Sequence, residues 1–515
     1  IVIYRVKGWD YPALVSTYEQ AAKRCREEHV PVLVHVEEVT QPQGHSTSGS
    51  HERYKSKERM AWAEEFDCIR QFEKFLLLEG AATQEELDGL RKAVKKEVRN
   101  EQKVAWTDFR AAFDLEMEEV IELLADVSGA DSAEIALLRN GIFPGRAELH
   151  AAARRTIQNA GAYRTPALEA LSRWSDAFGS ENRERYSRHL YSDGSDSALS
   201  VPIVKPDYSG TVEQADGRQI LQKNFEALFE KYPEVLTFGE DTGGIGGVNQ
   251  SMEGMQEKFG ESRVSDTGIR ECTIAGQGIG LALRGFRPIA EIQYLDYLYY
   301  ALQILRDDAA TVRYRTSGGQ KAPVIIRTRG HRLEGIWHSG SPMGAIIHSL
   351  RGMHVCVPRN MTEAAGMYNT LLQAEEPAVV VECLNGYRSK EAVPKNMGAF
   401  TVPLGIPDVV KVGEDITLVS YGSTFNIAAV AANRLEKAGV GVELIDARTL
   451  LPFDNQNVCA ASVGKTNRLL VVDEDVPGGA SAYIMEDVLN RQGAWKHLDV
   501  APKTMAAQPH LPPYG

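Results

Sequence analysis

The stretch from Ile416 to Asp446, ITLVSYGSTFNIAAVAANRLEKAGVGVELID, decides the fold class. Two short apolar runs, at 416–421 and 442–446, flank a segment whose apolar residues recur at helical spacing and which ends at Gly439. Near-continuous apolar strands separated by a helix indicate parallel strands that are joined by a crossover helix and buried on both faces. The stretch therefore predicts an α/β fold.

The same alternation of short apolar runs with longer segments begins at about residue 211. Further runs of strand length lie at 234–238, 323–326, 378–381 and 468–473. A break around Gly386–Pro407 divides this half of the chain in two. We therefore predict a parallel-sheet domain over 211–392 and a smaller α/β domain over 393–515.

The first 210 residues differ in character. Residues 1–75 contain a helical stretch from about Tyr11 to Glu28, a buried-strand pattern at 31–36 and a Gly- and Ser-rich segment at 41–50. Residues 76–180 are predicted to be a helical extension, in which Thr83 and Glu86 form a capping-box pattern ahead of apolar residues at helical spacing. The polar stretch 181–210 predicts an exposed linker.

Composition excludes several classes of function. The 515 residues carry a net charge of −13, from 57 Lys and Arg against 70 Asp and Glu, which argues against non-specific nucleic-acid binding. No apolar run reaches the roughly 18–20 residues that span a bilayer, so no membrane partner is expected. The six cysteines are widely spaced and never form C-x-x-C, which favours reduced thiols and a cytoplasmic protein. The chain opens IVIYRVKGWD without a Met, so we expect the natural start to lie upstream.

Two glycine-rich stretches, Gly243–Gly247 and Gly276–Gly280, resemble nucleotide-binding loops only superficially. No Gly-Lys-Ser/Thr follows either of them, and neither fits G-x-G-x-x-G with an acidic residue about 20 positions later. We interpret them as tight turns and a close-packed helix.

Glu271 is a stronger candidate for chemistry. It stands between a short strand at Val264–Asp266 and a predicted helix, where a carboxylate would face the ligand cleft of an α/β sheet. The alternative is a first-turn acid that interacts with the helix dipole. A polar and aromatic cluster at Glu291–Tyr300 could stack on a flat heterocycle or could be partly buried core.

Two histidines, His45 and His338, lie in loops rich in Gly and Ser. Such loops can deliver an imidazole for proton transfer near neutral pH, although most isolated histidines are ordinary loop residues. The sequence contains neither H-E-x-x-H nor G-x-S-x-G. The residues alone therefore indicate an α/β enzyme with a cleft near Glu271.

These residues also carry a family resemblance. Residues 234–475 closely resemble the β subunit of the thiamine diphosphate-dependent decarboxylating component of 2-oxo acid dehydrogenase complexes, whose fold is transketolase-like. The matching segments occur in order over about 240 residues: Gly239-Glu-Asp241, Arg263-Val-Ser-Asp-Thr-Gly-Ile-Arg-Glu271, Gly285-Phe-Arg-Pro-Ile-Ala-Glu-Ile-Gln293, His338-Ser, Val442-Glu-Leu-Ile-Asp-Ala-Arg448 and Ser462-Val-Gly-Lys-Thr466.

Residues 1–75 resemble the end of the companion α subunit, which suggests an α–β fusion. The matching segments are Arg5-Val-Lys-Gly-Trp-Asp10 and Gly44-His-Ser-Thr-Ser48, with Gly49 in place of the usual Asp. The α subunit's GDG diphosphate signature would lie before Ile1, and we expect the Mg²⁺ ligands in that upstream segment rather than in this sequence. Ala374-Glu-Glu376 also departs from the family's monovalent-cation segment.

The resemblance implies a role for each candidate residue. Glu271 is expected to hydrogen-bond N1′ of the aminopyrimidine and to promote its imino tautomer. Tyr297 is expected to stack on the pyrimidine, with Gln293, Ile269 and Glu240 lining the same pocket. The two histidines are implied as acid–base groups: His338 toward the substrate carbonyl and the lipoyl group, and His45 at the diphosphate end and in reductive acyl transfer.

The implied reaction releases CO₂ from a 2-oxo acid and passes the acyl group to lipoate on an acyltransferase partner. The segment EIQYLDY favours branched-chain 2-oxo acids, as in 2-oxoisovalerate dehydrogenase, over pyruvate or acetoin. A transketolase-like sugar-phosphate enzyme and a non-catalytic subunit that lacks the diphosphate half-site also stay open. A homodimer of fused chains, or pairing with an α-like subunit, would complete the cofactor site.

Overall fold

The computed structural model describes residues 1–41, 51–330 and 340–511. The chain divides into two compact units, Ile1–Ser180 and Glu181–Gly515. In the part of the chain that the structure describes, no helix is both long and apolar enough to cross a membrane.

The first unit contains a small parallel sheet followed by helices. Its elements are β1 (Val2–Lys7), α1 (Tyr11–Glu28), β2 (Val32–Glu37), α2 (Lys57–Glu65), α3 (Cys68–Leu78), α4 (Gln84–Ser128), α5 (Ala133–Asn140), α6 (Arg146–Asn159) and α7 (Pro166–Ser187), the last of which continues past the division between the units.

Strand β2 and helix α1 confirm the sequence predictions for this region, but β2 is not buried as expected. Leu33 is 52% exposed. Strands β1 and β2 pair only with each other among the described residues, and their side chains alternate between covered and exposed positions. The apolar run was therefore a sound sign of a strand but not of its burial.

Helix α4 begins at the predicted capping box. The Thr83 backbone N–H donates to the Glu86 carboxylate at 2.8 Å, and the Glu86 N–H donates back to the Thr83 hydroxyl at 3.3 Å. Leu90, in the first half of the helix, is 60% exposed. The second half packs into the core of this unit through the buried residues Val120, Ile121 and Leu124.

The second unit alternates strands and helices. Its elements are β3 (Gln214–Asp216), α8 (Gly217–Lys231), β4 (Val235–Gly239), α9 (Met255–Phe259), β5 (Val264–Asp266), α10 (Glu271–Leu283), β6 (Arg287–Glu291), α11 (Leu302–Ile304), α12 (Val312–Arg315), β7 (Ile325–Gly330), α13 (Met343–Ser349), β8 (His354–Cys356), α14 (Met361–Leu371), β9 (Ala378–Cys383), β10 (Lys390–Ala392), β11 (Asp408–Lys411), β12 (Ile416–Ser420), α15 (Gly422–Lys437), β13 (Val442–Asp446), β14 (Thr449–Leu451), α16 (Val458–Thr466), β15 (Leu469–Val472), α17 (Ala480–Glu486) and β16 (Lys503–Met505).

Two sheets organise this unit. The larger has the order β14-β8-β9-β7-β6-β4-β5 and is parallel except for its edge strand β14. The smaller has the order β11-β13-β12-β15-β16 and is parallel except for its edge strand β11. Buried apolar side chains cover the faces of both sheets. The predicted α/β class is confirmed.

A charged cluster lies where the two sheets meet, because only two residues separate β13 from β14. The Arg359 guanidinium donates to Asp446 at 2.7 Å and also pairs with Asp408 and Glu363. Burial raises the pKa of Asp446 to about 6, against the opposing effect of the Arg359 charge. Asp446 is therefore a buried acid that shares the Arg359 cation with two other carboxylates, those of Asp408 and Glu363.

Most residues of the stretch 181–210 are exposed, as its polar composition predicted, but the stretch belongs to the second unit and a few of its residues are buried there. Helix α7 extends into this stretch and ends at Ser187, and Ala198 is fully covered. The buried Glu376 carboxylate accepts the backbone N–H groups of Ser192 at 2.6 Å and Ala198 at 2.8 Å, and His354 binds it at 2.9 Å. A buried carboxylate needs donors, and this segment supplies them.

Candidate functional site

The candidate site lies at the carboxyl edge of the seven-stranded sheet, between β4 and β6. The chain leaves β4 toward β5 on one side and leaves β6 toward β7 on the other, so the connections of these adjacent strands diverge. Ligands of open α/β sheets bind in the crevice at such a switch point. Gly239 is in register with both Glu291 and Asp266, which brings the residues that follow these three strands to one edge.

Glu271 is the first residue of α10 and is half-buried. Its carboxylate accepts no hydrogen bond from any described residue, although the positive end of the helix dipole favours its charge. The helix-dipole interpretation therefore accounts for its position but not for its unused acceptors. The carboxylate is free to bind a donor from outside the chain.

Glu240 and Tyr297 share the electrostatic environment of Glu271. Burial raises the pKa of Glu240, and the charges of Asp241 and Glu271 raise it further. Burial also raises the pKa of Tyr297, and the charges of Glu240 and Glu271 raise it further. The Tyr297 ring is half-buried and meets Tyr294 edge-on with 6.2 Å between centroids. The structure thus brings together two carboxylates and an aromatic ring that the sequence had singled out.

Gln293 crosses the crevice from the end of β6. Its side-chain amide donates to Asp241 at 3.3 Å, and its backbone carbonyl accepts from the Arg329 guanidinium at 3.1 Å. Asp241 follows β4 and has a positive φ of 57°. The two strands on either side of the switch point are therefore joined across the site.

The remaining candidates from the sequence are Ile269, His45 and His338. Ile269 lies in the turn before α10 and is 71% exposed in this structure. His45 and His338 lie outside the described residues. Their expected roles stay predictions.

A buried charge network that the sequence did not indicate lies beneath this edge. Arg327 donates to Glu382 at 2.8 and 3.0 Å and also pairs with Glu291. Arg329 donates to Glu291 at 2.9 Å and to the Tyr387 hydroxyl at 2.9 Å. The charged side chains are fully covered, two cations against two anions. The sequence did offer one signal of this network: a charged residue, Arg327 or Glu382, directly after an apolar strand run.

The glycine loop 243–247 confirms the interpretation as a tight turn. The Asp266 carboxylate accepts the backbone N–H groups of Gly243 at 2.6 Å and Gly244 at 3.1 Å. Gly246 has φ of 76°, and a Cβ there would lie 2.2 Å from the Glu253 backbone nitrogen. In the helix α10 stretch, a Cβ on Gly278 would lie 2.8 Å from Val324, as a close-packed helix requires.

Comparisons with known families agree with this architecture. Residues 213–389 match the transketolase pyrimidine-binding domain, 407–515 match the transketolase C-terminal domain, and 1–111 match the dehydrogenase E1 component. The domain boundaries inferred from composition stay predictions.

Curated relatives match over the second half of the chain. The β subunit of 2-oxoisovalerate dehydrogenase from Bacillus subtilis is 35% identical over 261 residues, which cover 50% of this chain and 78% of the relative. The pyruvate dehydrogenase E1 component β subunit from Staphylococcus epidermidis is 37% identical over 279 residues, which cover 53% and 84%. A solved structure described as an inactive β4 tetramer of a split-gene transketolase has a TM-score of 0.46 at 20% identity and covers 58% of this chain and 89% of its own.

The relatives that match over more than three quarters of their length decide the family, and the motif resemblance is confirmed. This chain belongs to the family of β subunits of 2-oxo acid dehydrogenase E1 components, and it carries an E1 dehydrogenase region on the same polypeptide.

Proposed function

We propose that this chain catalyses the thiamine diphosphate-dependent oxidative decarboxylation of a 2-oxo acid and passes the acyl group to a lipoyl group on an acyltransferase partner. The observation that carries the proposal is the Glu271 carboxylate, which is half-buried and accepts no hydrogen bond from the described residues at the switch point of the larger sheet. Family membership supplies the class of reaction.

The residues present fit the aminopyrimidine part of this cofactor. A flat heterocycle that carries N–H groups needs an aromatic neighbour and hydrogen-bond acceptors, and Tyr297, Glu271 and Glu240 are of those types. When bound, the cofactor supplies the electron sink for decarboxylation. In the part of the chain that the structure describes, no three His, Cys, Asp or Glu side chains are grouped to hold a metal ion. We propose that Mg²⁺ binds with the diphosphate half of the site.

Each residue would have a distinct task. Glu271 would hold a proton at the pyrimidine N1′ position, because no described donor competes for its carboxylate. Glu240, whose pKa is raised by burial and by neighbouring charges, would present its neutral form near neutral pH more readily than an exposed glutamate. Gln293 and Ile269 would line the pocket, and His338 and His45 would move protons at the substrate and the lipoyl group.

The acidic groups of the site support a 2-oxo acid over a sugar phosphate as the substrate. The charges of Asp241 and Glu271 act on Glu240, so three carboxylates lie close together at this edge. A phosphate dianion beside them would be repelled more strongly than a monoanion. A 2-oxo acid carries a single negative charge, and its carboxylate leaves as neutral CO₂.

The finer assignments rest on the family and on local sequence. We propose a preference for branched-chain 2-oxo acids, because the segment EIQYLDY favours it and a 2-oxoisovalerate dehydrogenase subunit is among the relatives. We propose that two fused chains, or this chain and an α-like subunit, complete the site. The six free cysteines support a cytoplasmic location.

The test is dye-coupled oxidative decarboxylation by the purified chain with thiamine diphosphate and Mg²⁺. 3-Methyl-2-oxobutanoate and pyruvate are compared as substrates. We expect turnover, with a higher kcat/KM for 3-methyl-2-oxobutanoate. Glu271→Gln should lower kcat by about 10²–10³-fold, the size of effect seen when one preorganised catalytic contact is removed.

Glu261→Gln is the matched control, because Glu261 is an exposed carboxylate in the turn before β5. It should leave kcat unchanged. Equal activity of Glu271→Gln and Glu261→Gln would reject the role of Glu271. An absence of turnover with both acids would favour the non-catalytic subunit.

A further inference from the structure

A second cavity lies in the same unit, away from the switch point. It has a volume of about 380 Å³, which falls within the usual range for small-molecule sites. Its apolar wall is formed by Leu190, Ile347, Leu451 and Phe453. These side chains come from the segment after α7, from α13 and from β14 with the residues after it, and α17 with the residues after it completes the lining, so four separate parts of the chain build the cavity.

Three polar side chains that line this cavity have unused hydrogen-bonding capacity. Arg351 makes no ion pair or hydrogen bond with any described residue and is exposed. The hydroxyl of Tyr483 has no hydrogen-bond partner among the residues described, although burial raises its pKa to about 12. His348 uses Nδ1 toward the Gly344 carbonyl at 2.6 Å, which leaves Nε2 available.

The acidic residues of the cavity are already occupied. The Asp454 carboxylate accepts backbone N–H groups of Val458 at 3.0 Å and Cys459 at 2.8 Å, at the start of α16. The Asp487 carboxylate is paired with Arg491 at 2.6 and 2.8 Å. Their negative charges are therefore neutralised or held at a helix N-terminus, and the charged group left for a ligand among the described lining residues is the Arg351 guanidinium.

Two tyrosines, Tyr191 and Tyr483, line the cavity, and they differ in their hydrogen bonding. Burial raises the pKa of both phenols to about 12, so both are neutral hydrogen-bond donors near neutral pH. Tyr191 donates its hydroxyl proton to the Met353 carbonyl at 3.3 Å. Tyr191, Tyr483 and Arg351 all line the cavity beside the apolar wall, and the Tyr483 hydroxyl is the phenol left for a ligand.

We propose that this cavity is a second ligand site, for a small carboxylate with a compact apolar body. Arg351 binds the carboxylate, Tyr483 donates a hydrogen bond to it, and the apolar wall covers the body. A guanidinium matches the planar carboxylate with two parallel hydrogen bonds, and burial of the body supplies the remaining affinity. The site is independent of the proposed catalytic function.

The experiment is isothermal titration calorimetry of the full chain without thiamine diphosphate. The probe is 3-phenylpropanoate, compared with its neutral amide and with acetate. We expect saturable binding with one site per chain for 3-phenylpropanoate. The amide should bind at least about 10-fold more weakly because it lacks the charge, and acetate should bind at least about 10-fold more weakly because it lacks the body.

Variants separate this site from the switch point. Arg351→Gln should raise Kd about 10-fold and Tyr483→Phe about 3–5-fold, since a charged hydrogen bond contributes more than a neutral one. Arg434→Gln, which changes an exposed guanidinium on α15 outside the cavity, should leave Kd unchanged. Glu271→Gln should also leave it unchanged. The proposal is overturned by binding that does not saturate, or by binding that Arg351→Gln and Tyr483→Phe both leave intact.

Discussion

Two pairs of glutamates near one edge of the larger sheet have opposite surroundings. Glu291 and Glu382 are fully covered, and Arg327 binds both of them. Glu240 and Glu271 lie at the same edge, half-buried, and accept no hydrogen bond from any residue that the structure describes. Carboxylates that the chain pairs itself stabilise the fold, whereas carboxylates left unpaired in a crevice are available to a ligand.

The pKa shifts of these glutamates follow the division between paired and unpaired carboxylates. Burial alone would raise the pKa of Glu382, but the charge and hydrogen bonds of Arg327 outweigh it, and the pKa lies below its ordinary value. At Glu240 no cation among the described residues opposes burial, and the neighbouring acids add to it, so the pKa is raised. The same residue type is thus kept charged in one place and shifted toward its neutral form in the other.

Removal of the shared cation should have the largest effect on stability. Arg327→Gln leaves Glu291 with Arg329 alone and leaves Glu382 without a cationic partner at hydrogen-bond distance among the described residues. We expect a loss of about 3–5 kcal/mol in the free energy of unfolding, measured by urea denaturation, because an unpaired buried charge is strongly destabilising. A loss under about 1 kcal/mol would show that the network is not a structural element.

Asp446 sharpens the comparison, because it is buried and paired yet has a raised pKa. A raised pKa for an acid means that its contribution to stability is present below the unfolded value and is lost as pH rises through about 6. Asp446→Asn cannot ionise. The wild type should therefore lose roughly 2–3 kcal/mol relative to this variant between about pH 4 and pH 7.

This difference is measured by denaturant titrations of both proteins across that pH range. Asp415→Asn, a substitution in the turn before β12, is the control and should follow the wild type. A constant difference between wild type and Asp446→Asn at every pH would contradict the raised pKa.

Tyr387→Phe tests the buried network by the loss of one oxygen. The Tyr387 hydroxyl accepts from Arg329 at 2.9 Å and donates to Glu382. Loss of both contacts without a change in ring packing should lower the free energy of unfolding by about 1–3 kcal/mol. An unchanged urea midpoint would show that only the ion pairs of the network, and not the Tyr387 hydroxyl, contribute to the free energy of unfolding.

Glu271→Gln should have the smallest effect on the fold. No described residue depends on that carboxylate for a hydrogen bond, so the free energy of unfolding should remain within about 0.5 kcal/mol of wild type. A loss as large as that of Arg327→Gln would assign Glu271 to the fold instead of the site.

Local sequence patterns were sufficient for the parallel sheets, for α1 and α4, and for the position of Glu271 at a helix start. They were insufficient for the buried network, because Arg327 and Glu382 meet only when β7 and β9 are neighbours, and strand order is not a local property. The burial of part of the segment after α7 could not be predicted for a similar reason. Its backbone binds Glu376, which lies 184 positions from Ser192 along the chain.

The most direct test of the division between paired and unpaired carboxylates is the exchange of the thiamine diphosphate C2 proton for deuterium. It is followed by quenched-flow NMR with the chain, the cofactor and Mg²⁺. We expect the wild-type chain to accelerate exchange over the free cofactor and Glu271→Gln to reduce the acceleration by at least about 10²-fold, while both proteins unfold at the same urea concentration. Equal exchange rates in wild type and Glu271→Gln would contradict it.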